Sequence, residues 1–212
     1  MAVIRSPKPE QMYIPGPAGS LVCLLEAPAS ASSVAVVCHP HPQHGGTMHN
    51  KVAYSLARSF YHLGAAVLRF NFRGVGESAG EYAQGPGEIE DAKAVAAWVR
   101  QTWPDRDLYL AGFSFGSMVA LGASQTLPIK GLVTVAPAVQ RIPGDFTRPP
   151  CPWLVVQGDR DEIVAASEVL RWSESFEPPP EIVVMPGVGH FFDGQLTALR
   201  NAVTGFLRQH GF

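Results

Sequence analysis

Cysteine is scarce in this sequence, with three among 212 residues. So small and odd a set argues against a disulfide framework. Cys23 and Cys38 lie in apolar, strand-like runs, so the expectation is reduced, buried thiols in a reducing compartment. An excess of charge is missing too: 16 Lys and Arg against 18 Asp and Glu leave a formal charge of −2. Neither nucleic acid nor an anionic membrane is therefore expected as a partner. No apolar run approaches the roughly 20 residues that cross a bilayer. Met1–Gly16 is proline-rich without an apolar centre, which reads as no signal peptide, and a cytoplasmic location is expected. Internal repeats and low-complexity linkers are absent. Residues 1–212 are expected to form one globular domain with a sizeable core.

What is present is alternation. Short apolar runs at Leu21–Leu25, Val34–His39, Ala65–Phe70, Leu108–Phe113, Leu132–Ala136, Trp153–Gln157 and Ile182–Met185 read as strands. Between them, helical spacing runs through Lys51–Leu63, Glu88–Arg100, the stretch after Phe113 to about Thr126, Glu162–Phe176 and Leu196–His210. Strand–helix alternation of this kind predicts an α/β fold, a three-layer α/β/α sandwich whose mostly parallel sheet is flanked by helices. Pro137–Pro152 is short and proline-rich with no helical period. It leaves no room for a lid domain, so a site open to solvent is expected.

The stretch that organises the chain is Gly112-Phe113-Ser114-Phe115-Gly116. An apolar strand enters it and the helix-compatible run Ser117–Ala123 leaves it. In that setting a serine sits on a strained turn with its hydroxyl above the sheet, and the following helix points its N-terminus at the reacting centre. A serine hydroxyl needs a base, and the base needs a carboxylate to fix its tautomer. Both types follow later strands, in the order Ser, Asp, His. Asp159 and Asp161 follow Trp153–Gln157, and His190 follows Ile182–Met185 in a glycine-rich turn. Functional groups of open parallel sheets gather at such carboxyl ends.

With these residues the chain resembles the α/β-hydrolases, over nearly its whole length. It is most similar to small serine hydrolases without a cap domain, the dienelactone-hydrolase-like enzymes and compact bacterial esterases. The resemblance implies Ser114 as nucleophile, His190 as base and Asp161 as the acid, since Asp161 precedes the short apolar pair Ile163-Val164; Asp159 is then a turn residue. Dienelactone hydrolases carry cysteine at the elbow, and this chain carries Ser114. His39-Pro40-His41-Pro42-Gln43-His44-Gly45-Gly46 is similar to the loop that supplies half of the oxyanion hole in that fold. Prolines have no N–H, so His41 is the only donor between Pro40 and Pro42. The expected oxyanion donors are the backbone N–H groups of His41 and Phe115.

Two further patterns compete. His39, His41, His44 and His49 form an imidazole cluster that could signal zinc, but the prolines splay His39 and His41 and no carboxylate or cysteine lies close by in sequence. No metal is expected. Arg73-Gly74-Val75-Gly76-Glu77-Ser78-Ala79 contains a dinucleotide-like spacing, yet Gly80, Gly85, Pro86 and Gly87 prolong a loop where a helix would have to begin. A structural turn is the expectation, and no cofactor is implied.

Phe113, Phe191 and Met48 are expected to contribute an apolar acyl pocket. The expected function is a serine carboxylesterase of the EC 3.1.1 class, acting on small-molecule esters with short or medium acyl chains. Thioesterase, acyltransferase or peptidase activity on the same residues is the nearest alternative. A non-catalytic binding protein on a hydrolase scaffold would be expected to lack one of the three residues.

Overall fold

The computed structural model describes residues 9–212, so the Met1–Gly16 expectation falls partly outside the described residues. Eight strands form one sheet: β1 Glu10–Gly16, β2 Gly19–Glu26, β3 Ser33–Cys38, β4 Ala66–Phe70, β5 Asp107–Phe113, β6 Gly131–Val135, β7 Trp153–Gly158 and β8 Glu181–Met185. Five helices accompany them: α1 Lys51–His62, α2 Pro86–Thr102, α3 Phe115–Ser124, α4 Ala166–Glu174 and α5 Leu196–Gln209. The spatial order is β1-β2-β4-β3-β5-β6-β7-β8. The β1–β2 and β2–β4 pairs are antiparallel, and every later pair is parallel.

The central strands are buried on both faces, as their continuous apolar runs require. Along β3 the side chains alternate. Val34, Val36 and Cys38 join the layer that holds Val95 and Val99 of α2, Val119 of α3 and Val169 of α4. Ala35 and Val37 join Val52, Leu56 and Phe60 of α1 and Leu199, Val203 and Phe206 of α5. The result is the expected α/β/α sandwich. None of the helices in the described residues is long and apolar enough to cross a membrane.

Two elements differ from the sequence reading. Strand β1 was not anticipated, because Pro15 and Gly16 mark its end. Its place on the sheet edge, with Pro15 opposite Ser20, is where a missing N–H is tolerated. Helix α4 begins at Ala166, not Glu162, because the Asp161 carboxylate takes up the N–H groups of Ile163 and Val164 and holds that segment as a turn. The Arg73–Ala79 segment is a turn, as expected. Arg73 braces it with a two-pronged ion pair to the buried Asp91 of α2, at 2.7 Å for the Nη2–Oδ1 contact.

The chain leaves β3 for β4 on one side and then returns to β5 on the other. The carboxyl ends of β3 and β5 therefore lie side by side where the winding reverses, and a crevice forms at such a point.

Candidate active site

Ser114 follows β5 directly and caps α3, with φ 55° and ψ −118°. A non-glycine residue there stores backbone strain. The surroundings hold it in place. Its N–H donates to Val135 O at 2.8 Å, and Ser117 Oγ lies 2.8 Å from Gly112 O while accepting from Val135 N–H. The flanking glycines are required sterically. A β-carbon on Gly112 would stand 2.1 Å from Gly116 O, and one on Gly116 would stand 2.3 Å from Cys38 O.

His190 arrives from the turn after β8, where its N–H donates to Glu162 Oε2 at 3.1 Å. Its ring lies against Phe113, at 5.1 Å between centroids. Nδ1 is 2.8 Å from Asp161 Oδ2 and Nε2 is 3.0 Å from Ser114 Oγ. The Asp161 side chain is fully buried and its oxygens also accept from Ile163 N–H, Val164 N–H and Gln157 Nε2, at 2.9, 2.7 and 3.1 Å. Burial alone would raise its pKa. The hydrogen bonds from His190, Val164 and Ile163 outweigh that and hold it below the ordinary carboxylate value. An ionised Asp161 keeps the proton of a neutral His190 on Nδ1 and leaves the Nε2 lone pair facing Ser114. Asp159 lies elsewhere: exposed, it accepts Gly187 N–H and has no hydrogen bond to His190 among the described residues.

The residues open into a cleft of about 290 Å³. His41 and Phe115 both line it, and neither backbone N–H has a partner among the described residues. Phe191 lines it as well and is exposed, whereas Phe113 and Met48 are buried and do not line it. Pro137–Pro152 forms one wall of the cleft through Ala138, Gln140 and Arg141, the last two carried by a short turn of helix at Val139–Arg141. Ser114 is only 8% exposed and His190 2%, so the site is reached down the cleft and not at an open surface.

The histidine cluster separates into individual roles. His39 is fully buried; Nε2 accepts Phe72 N–H at 3.1 Å and Nδ1 donates to Pro40 O at 2.7 Å. His41 Nδ1 accepts Gln43 N–H, so Nε2 carries the proton of the neutral ring and donates to Tyr82 Oη. Among the described residues no three His, Cys, Asp or Glu side chains are grouped to hold a metal ion.

Sequence reasoning missed Tyr82, Glu88, Gln157 and Glu162. Glu88 had a signal, standing three residues after Gly85 at the start of α2, where it accepts the N–H groups of Ala83 and Gly85. Gln157 is a polar residue ending an apolar strand run, which also marks it. Tyr82 and Glu162 carry no local signal.

A family model described as serine aminopeptidase, S33, matches residues 33–150, more than half of the chain. An uncharacterized protein of Rickettsia prowazekii (strain Madrid E) is 33% identical, over 93% of this chain and 88% of the relative. Among solved structures, an α/β serine hydrolase homologue from Coxiella burnetii is 41% identical, with a TM-score of 0.89 over 95% of this chain and 98% of that one. A serine hydrolase without lid from Xanthomonas campestris is 40% identical, with a TM-score of 0.91 over 98% and 97% of the two chains. Fold, elbow and relatives agree: the chain belongs to the serine aminopeptidase S33 family, within the lidless α/β serine hydrolases of the α/β-hydrolase superfamily.

Proposed function

We propose that the protein is a serine carboxylic ester hydrolase working through an acyl-enzyme, with Ser114, His190 and Asp161 as its catalytic triad. The observation that carries this reading is the unbroken relay of 3.0 and 2.8 Å from Ser114 Oγ through His190 to Asp161, set at the head of α3 beside two unpartnered N–H groups. Ser114 Oγ attacks the ester carbonyl while His190 Nε2 takes its proton. The carbonyl oxygen, now negative, is received by the N–H groups of His41 and Phe115, with the partial positive charge of the α3 N-terminus behind them. His190 returns the proton to the departing alkoxide. Water then attacks the acyl-enzyme with His190 again as base, releasing the acid and restoring Ser114 Oγ–H.

Thioesters and acyl acceptors other than water share these steps. An aminopeptidase reading is favoured by the description of the family model, but such a substrate brings a free ammonium group. Among the described residues no Asp or Glu lines the cleft to receive one, which favours the ester reading.

Labelling with a fluorophosphonate, followed by peptide mapping, tests the nucleophile. The reading expects one adduct, on Ser114, lost in Ser114→Ala; folded protein that takes no label would overturn it. His41→Pro removes one proposed oxyanion donor and is expected to lower turnover of a short-chain ester by about 10²–10³-fold. Near-wild-type turnover in a folded variant would remove His41 from that role.

A further inference from the structure

Resting on the ester-hydrolase reading, we infer that the cleft selects esters bearing a second, anionic group, and that Arg141 receives that group. Several groups on the walls around Ser114 are hydrogen-bond donors. Asn50 Oδ1 is occupied by the N–H groups of Val52 and Ala53, so its amide presents the donating NH2 end. The His41 and Phe115 N–H groups are free, and the Nε2 proton of His41 is spent on Tyr82. Gln140 also lines the cleft and offers an acceptor, since its own Nε2 is turned to Glu168.

Among the described residues Arg141 is the one Lys or Arg on the wall, and no carboxylate among them stands there to neutralise it. Its guanidinium has no ion pair or hydrogen bond among the described residues, in contrast to the nearby Lys51, which is paired with Asp193. Its position is set by the short helical turn at Val139–Arg141, where its N–H donates to Ala138 O at 3.0 Å. Its charge also reaches the proposed oxyanion loop: burial first, then Arg141 and His44, hold the His41 imidazole below its ordinary pKa. A guanidinium presents paired N–H groups that match a carboxylate or phosphate in two-pronged fashion. A substrate with a free carboxylate would place that group on Arg141 and its ester carbonyl over Ser114.

The test compares charged esters with uncharged analogues of similar size, each at low and high salt. Monomethyl adipate against methyl heptanoate places the anion on the acyl side; acetylglycolate against propyl acetate places it on the alcohol side. The expected result is a kcat/KM preference of about fivefold for the charged ester of at least one pair, the upper range for an exposed ion pair. That preference should shrink in 0.5 M salt, as screening shortens its reach to about 4 Å. It should fall to about one in Arg141→Gln and persist in Lys93→Gln, which removes an equal charge from α2, away from the cleft. Turnover of neutral esters without preference for a charged partner in either pair would overturn the inference and leave the ester-hydrolase reading standing. A preference unchanged in Arg141→Gln would overturn the assignment to Arg141. Absence of both turnover and fluorophosphonate labelling would overturn the underlying reading and this inference with it.

Discussion

Tyr82 Oη lies 3.1 Å from Nε2 of His41, and the two rings pack with Phe115 into a cluster whose centroids are 4.9 to 6.0 Å apart. Glu88, fully buried, accepts Ala83 N–H and Gly85 N–H at 2.7 Å each, which anchors the segment that carries Tyr82. A side chain after β4 thus steadies the loop after β3, whose His41 N–H is a proposed oxyanion donor.

Tyr82→Phe should therefore reduce kcat by about fivefold, the worth of one hydrogen bond of about 1 kcal/mol, with KM nearly unchanged. The oxyanion exists only in the transition state, so loosening its donor acts there and spares ground-state binding. A variant with unchanged kcat, or one altered in KM alone, would show that Tyr82 has no part in positioning His41.

Ser114→Gly should stabilise the protein by about 1 kcal/mol while abolishing hydrolysis. The residue stands at φ 55° and ψ −118°, where a side chain is strained and glycine is not. The greater freedom of glycine in the unfolded chain offsets part of the gain. Urea denaturation of the two proteins measures the difference. A loss of stability would mean that the elbow is not strained or that the hydroxyl contributes more to folding than its position suggests.

Stability should fall between neutral pH and about pH 4 because of His39. Burial holds its imidazole at about 4 against the ordinary 6.5, partly opposed by its bond to Pro40 O. Above 6.5 both folded and unfolded chains are neutral at this residue and the contribution is complete. Below 6.5 the unfolded chain takes up a proton that the folded one refuses, so stability is lost until the folded pKa is passed. The interval of about 2.5 units between those two values corresponds to about 3 kcal/mol. His41 and His62, also held low, act in the same direction. Denaturation midpoints from pH 7 to 4 should show the slope, and His39→Gln should flatten it. Ring NMR of the native protein gives a second reading: a His39 imidazole that protonates near 6.5 would refute the assignment.

The strands other than β1 and all five helices were legible because each is written in a local apolar period. The elbow was legible for the same reason: Gly112, Ser114 and Gly116 are neighbours in the chain, and the steric demand they answer is local. The ends of elements were less so. Helix α4 starts four residues after its helical period does, because the Asp161 carboxylate competes for the first N–H groups. The apolar pocket was only partly legible: of Phe113, Phe191 and Met48, the cleft takes Phe191 and the core takes the other two. An aromatic beside a functional residue has the same composition on either side of the backbone.

By itself, the sequence determined the layer architecture, the strand–turn–helix at Ser114, and the order in which a serine, two aspartates and a histidine emerge at strand ends. Periodicity and turn chemistry act over a few residues, and a reader of the chain can sum them. Only the tertiary structure set Asp161, and not Asp159, within hydrogen-bond distance of His190, brought His190 to Ser114 across 76 positions, and joined Tyr82 to His41 across 41. It also left Arg141 on the wall of a cleft without a counter-ion among the described residues. A hydrogen bond or an unpaired charge depends on distances of about 3 Å set by the packing of whole strands and helices, and no local pattern encodes them.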